Sequence, residues 1–246
     1  MHIGLLVTNT DDTDFAARHP RDAEKFATLI QRVRPDWQVT AFDLPKGDFP
    51  EGLEGFDGLL IGGSPASVLD DVPWIARLIG LIRTAYAAEL PMVGACFGHQ
   101  AIAQALGGRV GANPGPFVLG AAETEITTPA PWMDGGPLIR LAAAHGEQVL
   151  TLPDGAEVIG RSPGCPVAAY RIGARVFATQ YHPEMTPAFI AALTEEFGPK
   201  FPPEVAEAAR QSLRTGIEGP RFAEWIARFF EQAVQESAAS RSIAVT

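Results

Sequence analysis

The sequence predicts an α/β domain: a mostly parallel sheet with helices on both faces and an antiparallel flank. Three observations carry that expectation. Short apolar runs bounded by Gly, Pro or Asp recur through the first hundred residues, and stretches with apolar residues at helical spacing lie between them. The second half then changes to strand-like runs with no long helix between them. Strands alternating with helices line up in parallel, because each crossover must carry the chain back over a face of the sheet. With 246 residues, 46% of them apolar, the chain can bury one sizeable core.

In chain order, strands are expected over residues 3–7, 39–44, 57–61 and 92–95. Helices are expected over 21–33, where Phe26, Leu29, Ile30 and Val33 share a face, and over 74–88, where Ile75, Leu78, Ile79 and Ile82 do so behind Pro73. A short Ala-rich helix follows over 100–106. Residues 117–127, 157–161, 167–170 and 176–181 read as the antiparallel or mixed flank. Helical periodicity returns over 187–197, 204–213 and 221–234, and the small, polar tail from 237 to 246 is expected to fray. With no repeat, heptad run or low-complexity linker, one domain is the expectation.

Composition excludes several roles. A formal charge of −10 leaves no basic stripe to release counterions from a phosphate backbone, so nucleic acid is not an expected partner. The first residues, Met1-His2-Ile3-Gly4-Leu5-Leu6-Val7, lack a basic start and reach Asp11-Asp12 at once. They read as a strand rather than a signal peptide. No apolar run reaches the roughly 18 residues that would span a membrane. Two cysteines, Cys96 and Cys165, do not support a disulfide framework, and a cytoplasmic location is expected.

The sharpest chemical feature is Gly94-Ala95-Cys96-Phe97-Gly98-His99-Gln100 at a strand-to-helix junction. A nucleophile framed as Gly-x-Cys-x-Gly there is a nucleophile elbow. The glycines permit the tight turn, and the start of the next helix favours a thiolate. A lone Cys would more often be a small buried hydrophobe; the glycine frame argues otherwise. A thiol needs a base. Among five histidines, His2 lies in a strand, His19 in a polar segment, and His99 too near Cys96 in sequence, which leaves His145 and His182. His182 ends an apolar strand in Gln180-Tyr181-His182-Pro183-Glu184. Residues two apart on extended backbone face the same way, so Glu184 can orient the His182 ring.

These two segments, with Leu106-Gly107-Gly108 between them, resemble the class I, triad-type glutamine amidotransferases over roughly residues 3 to 190. The resemblance implies a flavodoxin-like sheet, a Cys96–His182–Glu184 triad, a γ-glutamyl thioester on Cys96 and ammonia as first product. It also implies that Gly62-Gly63-Ser64-Pro65 is the family's glycine loop, where the Gly63 N–H and the Phe97 N–H form an oxyanion hole. Gly62, Ser64 and Gln100 would then contact substrate, Gln100 at the α-amino or α-carboxylate group. Ala144-His145-Gly146-Glu147-Gln148-Val149 stands in place of a His-x-Asp-x-Val segment, so His145 would shape the pocket mouth; alone it reads as a loop histidine. Cys165 reads as a structural or exposed turn residue.

The expected division is an amidotransferase domain over 1–190 and a C-terminal helical extension of it over 191–246. No cofactor or metal is expected: no His or Cys pair has ligand spacing, and no phosphate loop of the Gly-x-x-x-x-Gly-Lys-Ser/Thr kind occurs. The chain resembles free-standing members of the family. Its expected function is to hydrolyse the glutamine side-chain amide and release ammonia for an acceptor on a separate synthase subunit. The alternatives are a free-standing γ-glutamyl hydrolase or peptidase and, third, a non-catalytic binding protein. Residues 199–234 carry no motif and leave room for self-association into a homo-oligomer.

Overall fold

The computed structural model describes residues 1–243. Its first half runs β1 (His2–Val7), α1 (Asp14–Ala17), α2 (Asp22–Val33), β2 (Gln38–Asp43), β3 (Gly58–Ile61), α3 (Pro73–Ala87), β4 (Met92–Ala95) and α4 (Phe97–Ala105). The strands β5 (Arg109–Ala112), β6 (Val118–Ile126), β7 (Leu138–His145), β8 (Glu147–Thr151), β9 (Glu157–Ser162), β10 (Cys165–Ile172) and β11 (Val176–Thr179) follow. Three helices close the chain: α5 (Pro187–Phe197), α6 (Pro203–Ser212) and α7 (Gly219–Ile243).

Nine strands form one sheet in the order β2-β1-β3-β4-β11-β10-β9-β6-β7. From β2 to β11 neighbours are parallel; from β11 to β7 they are antiparallel. This is the expected fold class, a flavodoxin-like parallel sheet with an antiparallel flank. β5 and β8 pair separately as a two-stranded ribbon.

Strand period two splits the core into two layers. Ile3, Leu5, Leu60 and Phe177 point to one face, packing with Phe26 and Ile30 of α2 and Trp225, Phe229 and Phe230 of α7. Leu59, Ile61, Met92 and Val176 point to the other, against Ile75, Leu78 and Ile82 of α3 and Ile102 of α4. Burial on both faces explains why the central strands are nearly all apolar. Arg34, just past α2, ties α7 down by donating to Glu231 at 2.6 and 3.1 Å. A third, smaller cluster of Leu119, Ala142, Ile190 and Ala209 joins α5 and α6 to the flank.

The structure departs from the sequence reading in several places. α1, β5, β7 and β8 were not anticipated. β7 reads Leu-Ile-Arg-Leu-Ala-Ala-Ala-His, and its run of alanines lacks the branched or aromatic residues that mark strands. His145 accordingly ends a strand rather than sitting in a loop. Cys165 is not exposed: it opens β10 and is fully buried. α4 begins at Phe97, three residues earlier than expected. α7 continues through residue 243 instead of fraying from 237; residues 244–246 of the expected tail lie outside the described residues. Among the described residues no helix is long and apolar enough to cross a membrane.

Candidate active site

β3, β4 and β11 lie side by side and end at one edge of the sheet, each followed by a segment of interest: Gly62-Gly63, Cys96 and His182. The carboxyl edge of a parallel sheet is where α/β proteins bind ligands. Cys96 has φ +51°, a left-handed conformation that costs a non-glycine residue about 1–3 kcal/mol. Three backbone bonds enforce it: Cys96 N–H donates to the Thr179 carbonyl at 2.9 Å, Gln100 N–H to the Cys96 carbonyl at 3.1 Å, and Gly98 N–H to the Gly62 carbonyl at 2.9 Å. None of these uses the N–H of Gly63 or Phe97. Close approach explains the glycine frame. A Cβ at Gly94 would lie 2.7 Å from the Gly98 carbonyl, and one at Gly98 would overlap the Ile61 carbonyl.

His182 is anchored by its own N–H, which donates to the Ala142 carbonyl at 2.8 Å. Its Nδ1 lies 2.7 Å from Glu184 Oε1, and both side chains are almost fully buried. A carboxylate can only accept here, so Nδ1 carries the proton and Nε2 is left without a hydrogen-bond partner. Burial works against a charged ring. Yet the neighbouring Cys96 and the Glu184 carboxylate together hold the imidazolium well above the usual histidine range. Gly63 lies against both groups: a Cβ there would meet His182 Cε1 at 2.6 Å and Cys96 Cβ at 3.6 Å. Thr8 pins this loop by donating its hydroxyl to the carbonyls of Gly62 and Gly63 at 3.0 and 2.9 Å.

A cavity of about 430 Å³ opens on Cys96 and His182 and is also lined by Gly63, Ser64, Gln100 and His145. Its polar wall is internally bonded. Gln100 Nε2 donates to the Glu147 carbonyl at 2.9 Å and to Gln180 Oε1 at 3.3 Å. Gln180 Nε2 in turn approaches Cys96 Sγ at 3.7 Å. Ser67 donates to the Glu147 carboxylate at 2.8 Å. His145 Nδ1 contacts the Glu147 carbonyl at 3.0 Å. Burial first, with help from the charge of His182, lowers His145 to about 4 against the pull of that carbonyl. The shift favours the neutral form of the His145 ring.

Seven of the nine residues singled out from sequence thus meet around one cavity or the pair that faces it: Cys96, His182, Glu184, Gly63, Ser64, Gln100 and His145. Gly62 and Phe97 contribute backbone at the elbow. Sequence reasoning missed Gln180, although it stands two residues before His182, the same-side spacing used for Glu184. It also missed the apolar lining, to which Phe189, Leu193 and Phe197 of α5 contribute at four-residue intervals, a helical stripe that was there to be read.

The two thiols are chemically unequal. Cys165 lies outside the cavity lining, and burial pushes its thiol up to about 11 despite hydrogen bonding from its surroundings. Cys96 opens on the cavity at the start of a helix. Brief treatment with iodoacetamide is expected to label Cys96 well ahead of Cys165, read by peptide mapping. Preferential labelling of Cys165 would count against this assignment.

A profile of the family "Glutamine amidotransferase class-I" matches residues 27–192. The chain is 31% identical over 189 residues to gamma-glutamyl peptidase 4 of Arabidopsis thaliana, covering 73% of this chain and 74% of that one. It is 35% identical over 136 residues to a glutamine-hydrolysing GMP synthase of Aeropyrum pernix, covering 55% of this chain but 25% of that protein. Among solved structures, a glutamine amidotransferase from Thermotoga maritima superimposes with a TM-score of 0.73 at 18% identity, covering 93% of this chain and 98% of the other. One from Methylobacillus flagellatus also scores 0.73, at 22% identity and 94% of each chain. At such identities these structures speak for the fold.

Proposed function

The chain belongs to the class-I glutamine amidotransferase family, and from that premise we propose that it cleaves the side-chain amide of glutamine, or of another γ-glutamyl compound, through a thioester on Cys96. The observation that carries this reading is the buried His182–Glu184 pair beside an elbow cysteine. In the first half-reaction His182 holds the Cys96 proton. The thiolate adds to the γ-carbonyl carbon, and the oxyanion meets the N–H groups of Gly63 and Phe97. The C–N bond then breaks and the leaving nitrogen takes the proton from His182. In the second, His182 removes a proton from water, whose oxygen bonds to the thioester carbon. The C–S bond breaks, glutamate departs, and the thiolate is restored. Preorganised oxyanion donors of this kind are worth roughly 10²–10³ in rate each.

Glu184 is assigned an orienting role: it fixes the Nδ1–H tautomer and stabilises the imidazolium, while the imidazole itself moves the proton. Glu184→Gln should therefore lower kcat less than His182→Ala does. The reverse order in steady-state glutamine turnover would give Glu184 a larger role than orientation.

In the leading form of this proposal ammonia passes to an acceptor on a separate synthase subunit, a reading supported by the similarity to GMP synthases, of which the chain matches a quarter of the length in one instance. A free-standing γ-glutamyl hydrolase is the second form. It is supported by a match spanning most of a γ-glutamyl peptidase and by the spacious cavity at Cys96. Two free thiols suit a reducing cytoplasm in either form. We further read the helices beyond residue 190 as part of the same domain, since α7 supplies Trp225, Phe229 and Phe230 to the main core.

A further inference from the structure

We infer that the cavity carries a built apolar subsite for the amine side of the scissile amide, and that the preferred substrate is a γ-glutamyl amide whose amine bears an uncharged apolar or aromatic group. The inference rests on the thiol chemistry proposed above, and its direction comes from the proton. The leaving nitrogen must take its proton from His182, so the amine half of the substrate lies on the His182 side of Cys96, and the glutamyl half lies away from it.

The lining residues are of two kinds. Ser64, Gln100 and Glu147 offer polar atoms suited to an amino acid head group. The charged glutamyl head group claims these polar atoms, which leaves the apolar lining to the amine half. His182 itself is bonded through its backbone to Ala142, a member of the apolar cluster shared by the flank, α5 and α6. That cluster reaches the cavity through Phe117, Leu119, Met185, Leu193 and Phe201. The Phe117 and Phe201 rings stack at 4.5 Å with their planes 19° apart, a flat apolar end wall. An ammonia-sized leaving group has no use for such a wall, whereas a ring or branched chain would bury against it.

The charge pattern narrows the class. Lys25 lines the same cavity, but its ammonium is already held by Asp22 at 2.9 Å and lies 3.6 Å above the Phe189 ring. Asn9 donates to the second Asp22 oxygen at 2.9 Å. The cation is thus neutralised within its own cluster rather than offered to a substrate carboxylate. An uncharged amine substituent fits this wall better than an acidic one.

The test compares L-γ-glutamyl benzylamide with L-γ-glutamyl 2-methoxyethylamide, two amides of similarly basic amines, with glutamine measured in parallel on the purified full chain. The benzylamide is expected to show the higher kcat/KM by roughly tenfold or more, the effect of burying one aromatic ring. Leu193→Asn and Phe201→Ser, both at half-buried positions, should each draw the ratio of the two amides toward one. Because the ratio is internal to each variant, a partial loss of folded protein does not move it. Turnover of both amides at a ratio of one or below would overturn the apolar subsite and leave the thiol chemistry standing. A ratio that both variants leave unchanged would overturn the assignment of the wall to α5 and the turn after it. No turnover of any of the three substrates, with no acyl adduct trapped on Cys96, would sink the catalytic reading and this inference with it.

Discussion

Cys96→Ala is expected to reduce glutamine or γ-glutamyl amide turnover by about 10⁴-fold or more, the scale on which removal of a nucleophile from a hydrolytic triad acts, while the fold survives. The strained φ of +51° burdens alanine no more than cysteine, so the elbow keeps its backbone bonds to Thr179 and Gly62. Sγ accepts a long contact from Gln180 at 3.7 Å, which costs little to lose. Its attraction to the His182 imidazolium is lost along with the need for the charge, since the neutral ring still donates Nδ1–H to Glu184. Far-ultraviolet circular dichroism and the unfolding midpoint should therefore stay near wild type while kcat collapses. Retention of more than a few per cent of activity would remove Cys96 from the reaction.

Gly98→Ala should be the most damaging conservative substitution in the elbow. The added Cβ would overlap the carbonyl of Ile61 and lie 2.8 Å from the Ile61 Cβ. The obstacle is the backbone of a central strand rather than a flexible side-chain end. Overpacking of this kind costs about 1–3 kcal/mol. Any relief moves α4 away from β3, breaking the Gly98–Gly62 bond and shifting both proposed oxyanion donors, so activity should fall along with stability. Gly80, in the middle of α3, supplies the control: nothing lies within 4 Å of a Cβ there, and Gly80→Ala should add up to about 1 kcal/mol through helix propensity. Urea midpoints measured at constant slope separate the two outcomes. Equal midpoints for the two variants would refute the packing argument.

The legible parts of this protein are those where one physical demand dominates. β1, β3, β4 and β11 are buried on both faces, and their apolar runs announce it. The elbow is legible because tight backbone approach admits only glycine at 94 and 98. The His182–Glu184 pair was found through a spacing of two, although a turn at Pro183 and Glu184, rather than extended chain, brings the two together. What escaped has mixed demands. β7 buries small side chains under α6 and α7, so alanine serves where strand formers were expected. β5 and β8 pair only with each other, and neither has an alternating pattern long enough to recognise. Gln180 was passed over because an amide in an apolar strand end gives no sign of which buried groups it will bridge. The stripe on α5 was readable as helical spacing, but that it joins Leu119 of β6, remote in sequence, around one cavity was not.

The position of β11 in the sheet bears on how the protein comes into being. β11 inserts beside β4, pairing Val176 with Met92 and Thr179 with Ala95, and Gln180 reaches Cys96 across 84 positions of sequence. Everything between them, including the whole antiparallel flank, must be synthesised before that gap in the sheet can close. Contacts of such long range form slowly, since the loop must be ordered before the pairing repays it. On the ribosome Cys96 therefore emerges well ahead of His182, Glu184 and much of the cavity lining. A partly made chain thus carries the proposed nucleophile without its proposed base until β11, the last strand in the chain, and the segment after it have been made.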